Sequence, residues 1–243
     1  MSPEIELHQK VARAAVTLAA DHDWPDVTLA DLAREAGVTL SDLRRYRVAT
    51  TATALKSYFR VIDEEVMARA HAEVDAQDPA RDRLFDVVMM RFDAMAPDRA
   101  GLARIIRTSP FIPELTQPLL NAQRWMLAAA QIDIDGGLGM ARTFGLARIY
   151  GEVFKVWLDD DTGNTQTMAL LDRRLRSAEK NLRNVERFGA IFQGLAARGG
   201  RRRQRSKTGD DGAPDAGSGA QNDGPSSSFQ PGDDPAAPDQ MSI

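Results

Sequence analysis

The 243-residue chain contains no cysteine. This absence excludes a disulfide-stapled scaffold and any thiolate metal site, and it favours the reducing environment of the cytoplasm. Long apolar stretches are missing too, since the longest uninterrupted one, Trp125 to Ala130, is far shorter than the ~18 residues that a membrane span needs. The first ten residues carry acidic charge and no apolar centre, which predicts that no signal peptide is present. We therefore expect a cytoplasmic protein.

Negative charge exceeds positive charge in the chain as a whole, but one segment reverses the balance. The formal net charge is −4. Between Arg34 and Arg60, however, six basic residues stand against two acidic ones, which gives a local charge of +4. Phosphate contact depends on a local basic patch and not on the charge of the whole chain, so this segment is compatible with nucleic-acid binding.

Strand-like alternation is absent, whereas helical periodicity recurs along most of the chain. Leu7, Val11 and Leu18 begin a series of apolar residues at helical spacing, and no stretch alternates with period two over a useful length. The pattern predicts an all-α fold. The expected helices are Glu4–Asp21, Leu29–Ala36, Leu40–Tyr46, Thr51–Ala76, Arg81–Met95, Asp98–Thr108, Pro113–Ile132, Leu138–Leu158 and Asn164–Phe188.

The composition changes near Gly199. Residues 199–243 hold eight of the 18 glycines and five of the 12 prolines, with Phe229 as their one aromatic residue. Such a segment buries too little apolar surface to offset its ordering entropy, which predicts a disordered tail. We accordingly expect a helix-turn-helix domain (1–50), a helical ligand-binding and dimerisation domain (51–198) and a tail (199–243).

A helix-turn-helix motif lies near the N-terminus. Thr28 and Asp31 have the spacing of a capping box at a helix start. Ala33 is the small residue required where the two helices touch, and Gly37 stands in the turn, where a left-handed backbone is favoured. Thr39 is suited to cap the second helix, which would be the recognition helix.

The segment from Val27 to Thr39 resembles the TetR family of transcriptional regulators. Members carry a threonine, an isoleucine- or leucine-alanine pair, and alanine-glycine-valine followed by serine or threonine at this spacing and position. The resemblance implies an all-helical fold reaching to about Leu195, with double-stranded DNA as a partner. The helix-turn-helix register places six candidate DNA contacts here, Thr39, Ser41, Arg44, Arg45, Tyr46 and Arg47. Thr39 and Ser41 would equally suit helix capping, the arginines a solvated helix face, and Tyr46 packing on the core.

The resemblance breaks down after the recognition-helix leucine, Leu43. Family members continue with two aromatic positions and a phenylalanine, and a serine–lysine pair then opens the fourth helix. Here Tyr46 matches the second aromatic residue, but Arg44 and Arg47 replace the other two. Ala49 and Thr50 replace the serine–lysine pair, so the family's phosphate-contacting lysine is absent and the arginines are the remaining source of charge.

A second resemblance lies further along the chain. The segment Val156–Asp161, followed by Thr167-Met168 and by Leu171–Leu175, is similar to the end of the coenzyme Q biosynthesis accessory family. That family has a TetR-type fold that binds lipid instead of DNA, and it ends in an amphipathic helix that touches membranes. An apolar stripe precedes the basic cluster Arg201–Arg205 and would be the peripheral membrane contact. Its members are Phe188, Ile191, Phe192 and Leu195.

An effector pocket is expected between the helices of the second domain, because ligand sites in bundles lie there. The candidate lining residues, which would also suit a core or a dimer seam, are Trp125, Met126, Phe144, Tyr150, Phe154 and Trp157. The run Asp159–Asp161 lacks the spacing of a calcium loop and precedes a helix, where acids are favoured, so we predict no metal and no cofactor. No histidine lies in a catalytic motif, and we expect no enzyme.

Taken together, these patterns predict a homodimeric TetR-type DNA-binding regulator, a repressor that responds to a small apolar effector. The two long C-terminal helices would pair across the dimer axis. The alternative is a lipid- or isoprenoid-binding accessory protein of coenzyme Q biosynthesis with the same fold and no DNA binding.

Overall fold

A computed structural model describes residues 2–161 and 163–180. All regular secondary structure in these ranges is helical and none is strand, which confirms the all-α prediction. Eight helices have both ends described, and residues 165–180 lie in a further helix, α9. The eight are α1 (Pro3–Asp21), α2 (Leu29–Ala36), α3 (Leu40–Arg45), α4 (Thr51–Glu73), α5 (Ala80–Met95), α6 (Arg99–Thr108), α7 (Thr116–Ala129) and α8 (Gly136–Asp159).

Four predicted helix boundaries were wrong by two residues or more. Helix α4 ends at Glu73 instead of Ala76, because Val74 takes extended backbone angles. Residues Pro113–Leu115 form a 3₁₀ turn before α7, and this helix ends at Ala129 because the left-handed Gln131 (φ 56°) follows. Helix α8 begins at Gly136, two residues before the expected start at Leu138.

Several predicted features lie outside the described residues. They are the disordered tail (199–243), the basic cluster Arg201–Arg205 and the apolar stripe of Phe188, Ile191, Phe192 and Leu195. Within residues 2–161 and 163–180, no helix is long and apolar enough to cross a membrane.

Helix α1 is the packing centre of the N-terminal part. Its apolar face, including Val11 and Ala15, is completely buried and lies against α2, α4 and α6. Helix α6 approaches closely at Gly101, where a β-carbon would overlap the carbonyl oxygen of Val16. Glycine at this position is therefore a packing requirement, since no side chain fits between the two backbones.

The second part of the core lies among α4, α5, α7 and α8. Phe92 stacks on Tyr150 and Trp157, with ring centroids 5.2 and 5.3 Å apart. Beside these rings, the guanidinium of Arg91, whose side chain is only 1% exposed, forms an ion pair with Asp63 of α4. Its Nε also donates to the hydroxyl of Tyr150 at 3.0 Å. A buried charge is tolerated only when it is paired in this way.

The acidic run after α8 is part of a turn. The Asp160 carboxylate accepts hydrogen bonds from the Thr167 backbone N–H at 2.8 Å and from its hydroxyl at 2.7 Å. Burial opposes ionisation of Asp160, but the hydrogen bonds from Thr167 outweigh it, and the pKa of this carboxyl is lowered. Arg99 donates to the Asp160 carbonyl at 2.8 Å and lies 4.5 Å from the ring centroid of Trp157. Asp160 therefore has a structural role at the start of α9.

Candidate nucleic-acid interface and ligand cavity

Helices α2 and α3 each begin with a reciprocal capping box. The Asp42 backbone N–H donates to the Thr39 hydroxyl, and the Thr39 backbone N–H donates to the Asp42 carboxylate, both at 3.1 Å. Hydrogen bonds from the Thr39 side chain and backbone lower the pKa of Asp42, and Thr28 acts in the same way on Asp31. Helix α3 has only six residues, too few to be stable alone, so its cap and its packing hold it in place.

The turn between α2 and α3 places one face of α3 in solvent. Gly37 ends α2 in the left-handed region (φ 65°), and the Val38 backbone N–H bonds back to the Ala33 carbonyl at 2.9 Å. Leu43 then points into the core and is 1% exposed. The opposite face and the end of α3 form what we call the reading surface. Its exposed members are Thr39, Ser41, Arg44, Arg45 and Arg47.

Arg47 adopts a backbone conformation that favours glycine. Its φ is 61°, and the following Val48 N–H closes the end of α3 by donating to the Leu43 carbonyl at 2.8 Å. Val48 is buried, so the left-handed residue turns the chain from the exposed helix into the core. For a residue with a β-carbon this conformation costs about 1–2 kcal/mol.

Tyr46 is half-buried and packs against the core, and its backbone lies beside a buried histidine on α1. The His8 Nδ1 is 2.7 Å from the hydroxyl oxygen of Ser57 on α4, which itself donates to the Thr53 carbonyl. Burial lowers the pKa of His8 and nearby Arg60 lowers it further, whereas Glu4 and the Tyr46 backbone act in the opposite direction. His8 thus lies where α1, α4 and the end of the reading surface meet.

Thr50, which stands where the TetR family has its phosphate-contacting lysine, caps α4. Its hydroxyl accepts a hydrogen bond from the Thr53 backbone N–H at 3.2 Å. Thr50 therefore has a local structural role, and the reading surface takes its positive charge from Arg44, Arg45 and Arg47.

We call helices α1–α3 the N-terminal unit. An apolar cavity of about 350 Å³ lies outside this unit. Its walls come from α4, α6, α7 and α8 and from the loop after α6, and none of the described residues that line it carries a charge. The lining residues are Leu55, Phe59, Leu102, Ile105, Ile106, Ser109, Pro110, Phe111, Ile112, Leu115, Thr116, Leu119, Leu120, Gln123, Ala147, Tyr150, Gly151 and Phe154. Its volume is in the range of small-molecule sites.

The six predicted pocket residues are not brought together. Tyr150 and Phe154 line the cavity. Met126 and Trp157 are fully buried in the core and do not line it. Trp125 and Phe144 do not line it either, because their side chains are more than half exposed on the outer faces of α7 and α8. Trp125 instead borders an open groove next to Lys56 and Arg60 of α4.

Sequence reasoning missed most of the cavity. Leu55, Phe59 and Gln123 line the cavity but are not among the predicted pocket residues. One signal was available in the loop between α6 and α7, where Phe111 lies between Pro110 and Pro113. An aromatic residue in such a loop has few ways to be buried, and Phe111 is 74% exposed at the edge of the cavity.

Two helices that line the cavity also hold the N-terminal unit. Helix α4 carries Ser57, the partner of His8, two residues from each of the lining residues Leu55 and Phe59. Helix α6 ends at Thr108, whose hydroxyl accepts a hydrogen bond from the Trp24 backbone N–H at 3.1 Å. Arg104 of α6 also donates to Asp23 at 2.9 Å.

Solved structures resemble this arrangement. A TetR transcriptional regulator from Nitrosomonas europaea is 23% identical and superposes with a TM-score of 0.56, over 71% of this chain and 97% of that protein. A TetR transcriptional regulator from Rhodococcus sp. RHA1 is 16% identical, with a TM-score of 0.52 over 72% of this chain and 96% of that protein. The chain has a TetR-type fold. In sequence, no family model and no curated protein matches it.

The likeness extends over nearly the whole of both regulators, so it concerns the entire fold and not the helix-turn-helix alone. It confirms the fold that the TetR resemblance implied. The DNA contacts and the use of the cavity as an effector site remain predictions.

Proposed function

We propose that this protein is a DNA-binding transcriptional regulator of the TetR type. The observation that carries the proposal is the reading surface, on which Arg44, Arg45 and Arg47 are exposed around a short helix fixed by its capping box. Exposed arginines at the end of a recognition helix suit phosphate oxygens, whereas Thr39 and Ser41 lie at its N-terminal end, which is the part that reaches base edges. Tyr46 joins these contacts through its exposed edge.

The regulator acts as a repressor whose effector occupies the apolar cavity. A small apolar molecule there would press on Leu55 and Phe59 of α4 and on Ile105 of α6, and both helices hold the N-terminal unit. Only a ligand that favours one arrangement of these helices can shift the equilibrium between them. Such a ligand would change the orientation of the reading surface and weaken operator affinity.

The functional unit is a homodimer formed through α8 and α9. Met140, Phe144 and Met168 leave apolar side chains exposed on these helices. A stable interface of more than ~1,000 Å² would cover them. Two reading surfaces would then meet half-sites roughly 34–36 Å apart.

The decisive experiment measures binding of the full chain to DNA from its own promoter by fluorescence anisotropy, over a series of salt concentrations. The Arg44→Ala/Arg45→Ala variant should bind all sequences more weakly. Its plot of log affinity against log salt should flatten by about one unit for each lost phosphate contact. The matched control is Arg69→Ala/Arg81→Ala, which removes the same charge from surface ion pairs on α4 and α5, away from the reading surface and from α8 and α9.

Equal salt slopes for the two double variants would contradict the proposal. So would the absence of promoter binding at low salt. Sedimentation of the same preparation should give a dimer at micromolar concentration, and a monomer would remove the basis for two half-sites.

A second candidate is the lipid- or isoprenoid-binding accessory role without DNA. The uncharged cavity with exposed Phe111 at its edge favours it, as does the use of Thr50 as a helix cap. Flotation of the full chain with liposomes, alone and after exchange of Phe188 and Phe192 for aspartate, separates the two functions. Flotation that depends on these residues, without promoter binding, would favour the accessory role.

A further inference from the structure

One polar side chain lies deep in the wall of the apolar cavity. Gln123 of α7 is 2% exposed and is a lining residue. Its amide Nε2 donates to the Leu119 carbonyl at 3.2 Å. Its Oε1 is buried, and no protein group among the described residues donates to it.

The Leu119 carbonyl determines which way the Gln123 amide is turned. If the nitrogen and oxygen of the Gln123 amide exchanged places, Oε1 would face the Leu119 carbonyl, and two acceptors would oppose each other. The NH₂ group is therefore turned towards its own helix, and Oε1 remains as an acceptor. A buried acceptor without a donor destabilises the fold.

Packing alone does not account for a glutamine here. Leucine or methionine would fill a similar volume at a cavity wall without leaving a polar atom unpaired. The other deeply buried hydrogen-bonding group of the wall, the Tyr150 hydroxyl, already accepts a hydrogen bond from Arg91. Ser109 is half-buried and Thr116 is exposed, so they lie nearer the solvent.

We propose that the cavity takes a neutral, largely apolar molecule with a hydroxyl group, an alcohol or a phenol, and that this hydroxyl donates to Gln123 Oε1. A carboxylate would present acceptors to an acceptor, and none of the described lining residues offers it a cation. This inference rests on the proposed function only in taking the cavity as the effector site. It adds the class of effector and the residue that selects it.

The test compares three probes of similar length by isothermal titration calorimetry with the full chain. The probes are n-octanol, its isomer heptyl methyl ether, which lacks a donor, and octanoate. The wild type should bind n-octanol roughly five- to tenfold more tightly than the ether, the value of one hydrogen bond between neutral groups. Octanoate at neutral pH should bind more weakly than either.

The Gln123→Leu variant should bind n-octanol and the ether equally, because the acceptor is gone. It should fold at least as well as the wild type, since the unpaired buried oxygen is removed with it. Thr116→Val is the matched control, as it changes a polar lining residue nearer the solvent and should keep the preference for n-octanol. The probe series on the wild type is independent of whether any variant folds.

Equal affinity of the wild type for the two isomers would overturn the inference, and so would a preference that survives in Gln123→Leu. Promoter binding measured on the same preparation keeps the two proposals apart. Promoter binding without any probe binding overturns the inference and leaves the regulator. A Gln123-dependent preference for n-octanol without promoter binding supports the inference and overturns the regulator.

Discussion

The reading surface and the cavity are assembled in opposite ways. Each hydrogen bond that shapes α3 joins residues at most five positions apart, from the Thr39–Asp42 capping box to the Val48–Leu43 bond. The cavity instead draws its wall from four helices between Leu55 and Phe154. A surface made from local contacts keeps its shape when distant packing changes, whereas a cavity made from distant segments does not. This contrast suits a molecule in which one region recognises and the other responds.

The largest change in stability is expected from breaking the ion pair between Asp63 and Arg91, which lies next to Tyr150 of the cavity wall. Asp63→Ala leaves the Arg91 guanidinium uncompensated in the core, which should lower the free energy of unfolding by about 3–5 kcal/mol. Urea denaturation measures this loss. At temperatures where the variant is folded, promoter binding should persist, because the capping boxes of the reading surface do not involve Asp63.

The control for that variant replaces both partners with apolar residues. Arg91→Met/Asp63→Leu should recover most of the stability, since no buried charge is left unpaired. If the free energies of unfolding of Asp63→Ala and the wild type differ by less than ~1 kcal/mol, the ion pair is not what holds α4 against α5.

A smaller change in the free energy of unfolding, of opposite sign, is expected for a substitution on the reading surface. Arg47→Gly relieves the left-handed conformation and should raise the free energy of unfolding by about 1 kcal/mol, while it weakens promoter binding by removing a cation. The stability change is measured by urea denaturation and the affinity by anisotropy. Arg45→Gly is the matched comparison, because it removes the same charge from a helical position, where glycine lowers stability.

A gain in stability without any loss of affinity would show that Arg47 does not reach the DNA. A loss of stability would show that its left-handed backbone is not strained.

The smallest expected effect is on the pH dependence of stability, and it involves His8, which lies between the reading surface and α4. The pKa of His8 is lowered in the folded protein, so the unfolded chain binds more protons near the ordinary histidine pKa of about 6.5. Stability should therefore fall as the pH decreases below ~6.5, and it should stop falling below the folded pKa. Glu4 and Arg60 are the charged side chains that act on the same imidazole.

His8→Gln should show a flatter dependence of the unfolding free energy on pH between ~7.5 and ~5.5. Identical slopes for this variant and the wild type would mean that another group controls stability in this range. The carboxyls of Asp31 and Asp42 are not that group, because their capping boxes lower their pKa values further below the window.

The parts of the molecule that follow from local rules were predictable. Thr28 with Asp31, Gly37 and Thr39 each have a fixed physical reason to begin or end a helix, and α2 starts and ends at the predicted residues. These residues interact mainly with near neighbours in sequence, so spacing alone carries the information.

The cavity was not predictable, because its lining depends on contacts between residues far apart in sequence. Whether an aromatic residue lines a cavity, fills the core or faces solvent depends on which helix lies against it. Tyr150, Trp157 and Phe144 lie on the same helix and have these three different environments. Gln123 attracts no notice in sequence, because a glutamine in a helix is normally exposed.

The contact between α1 and α6 at Gly101 makes the N-terminal unit a poor candidate for exchange between proteins. A chimera of this fold would join the N-terminal unit of one chain to the remaining helices of another. In this chain the two parts meet at more than the covalent link before α4, since the backbone of α6 lies directly on Val16 of α1. A transplanted N-terminal unit would need an equally accessible backbone on its first helix, and the chain that receives it would need glycine at the facing position. Whether two chains can be combined thus depends on one contact between backbone segments about 85 residues apart in sequence.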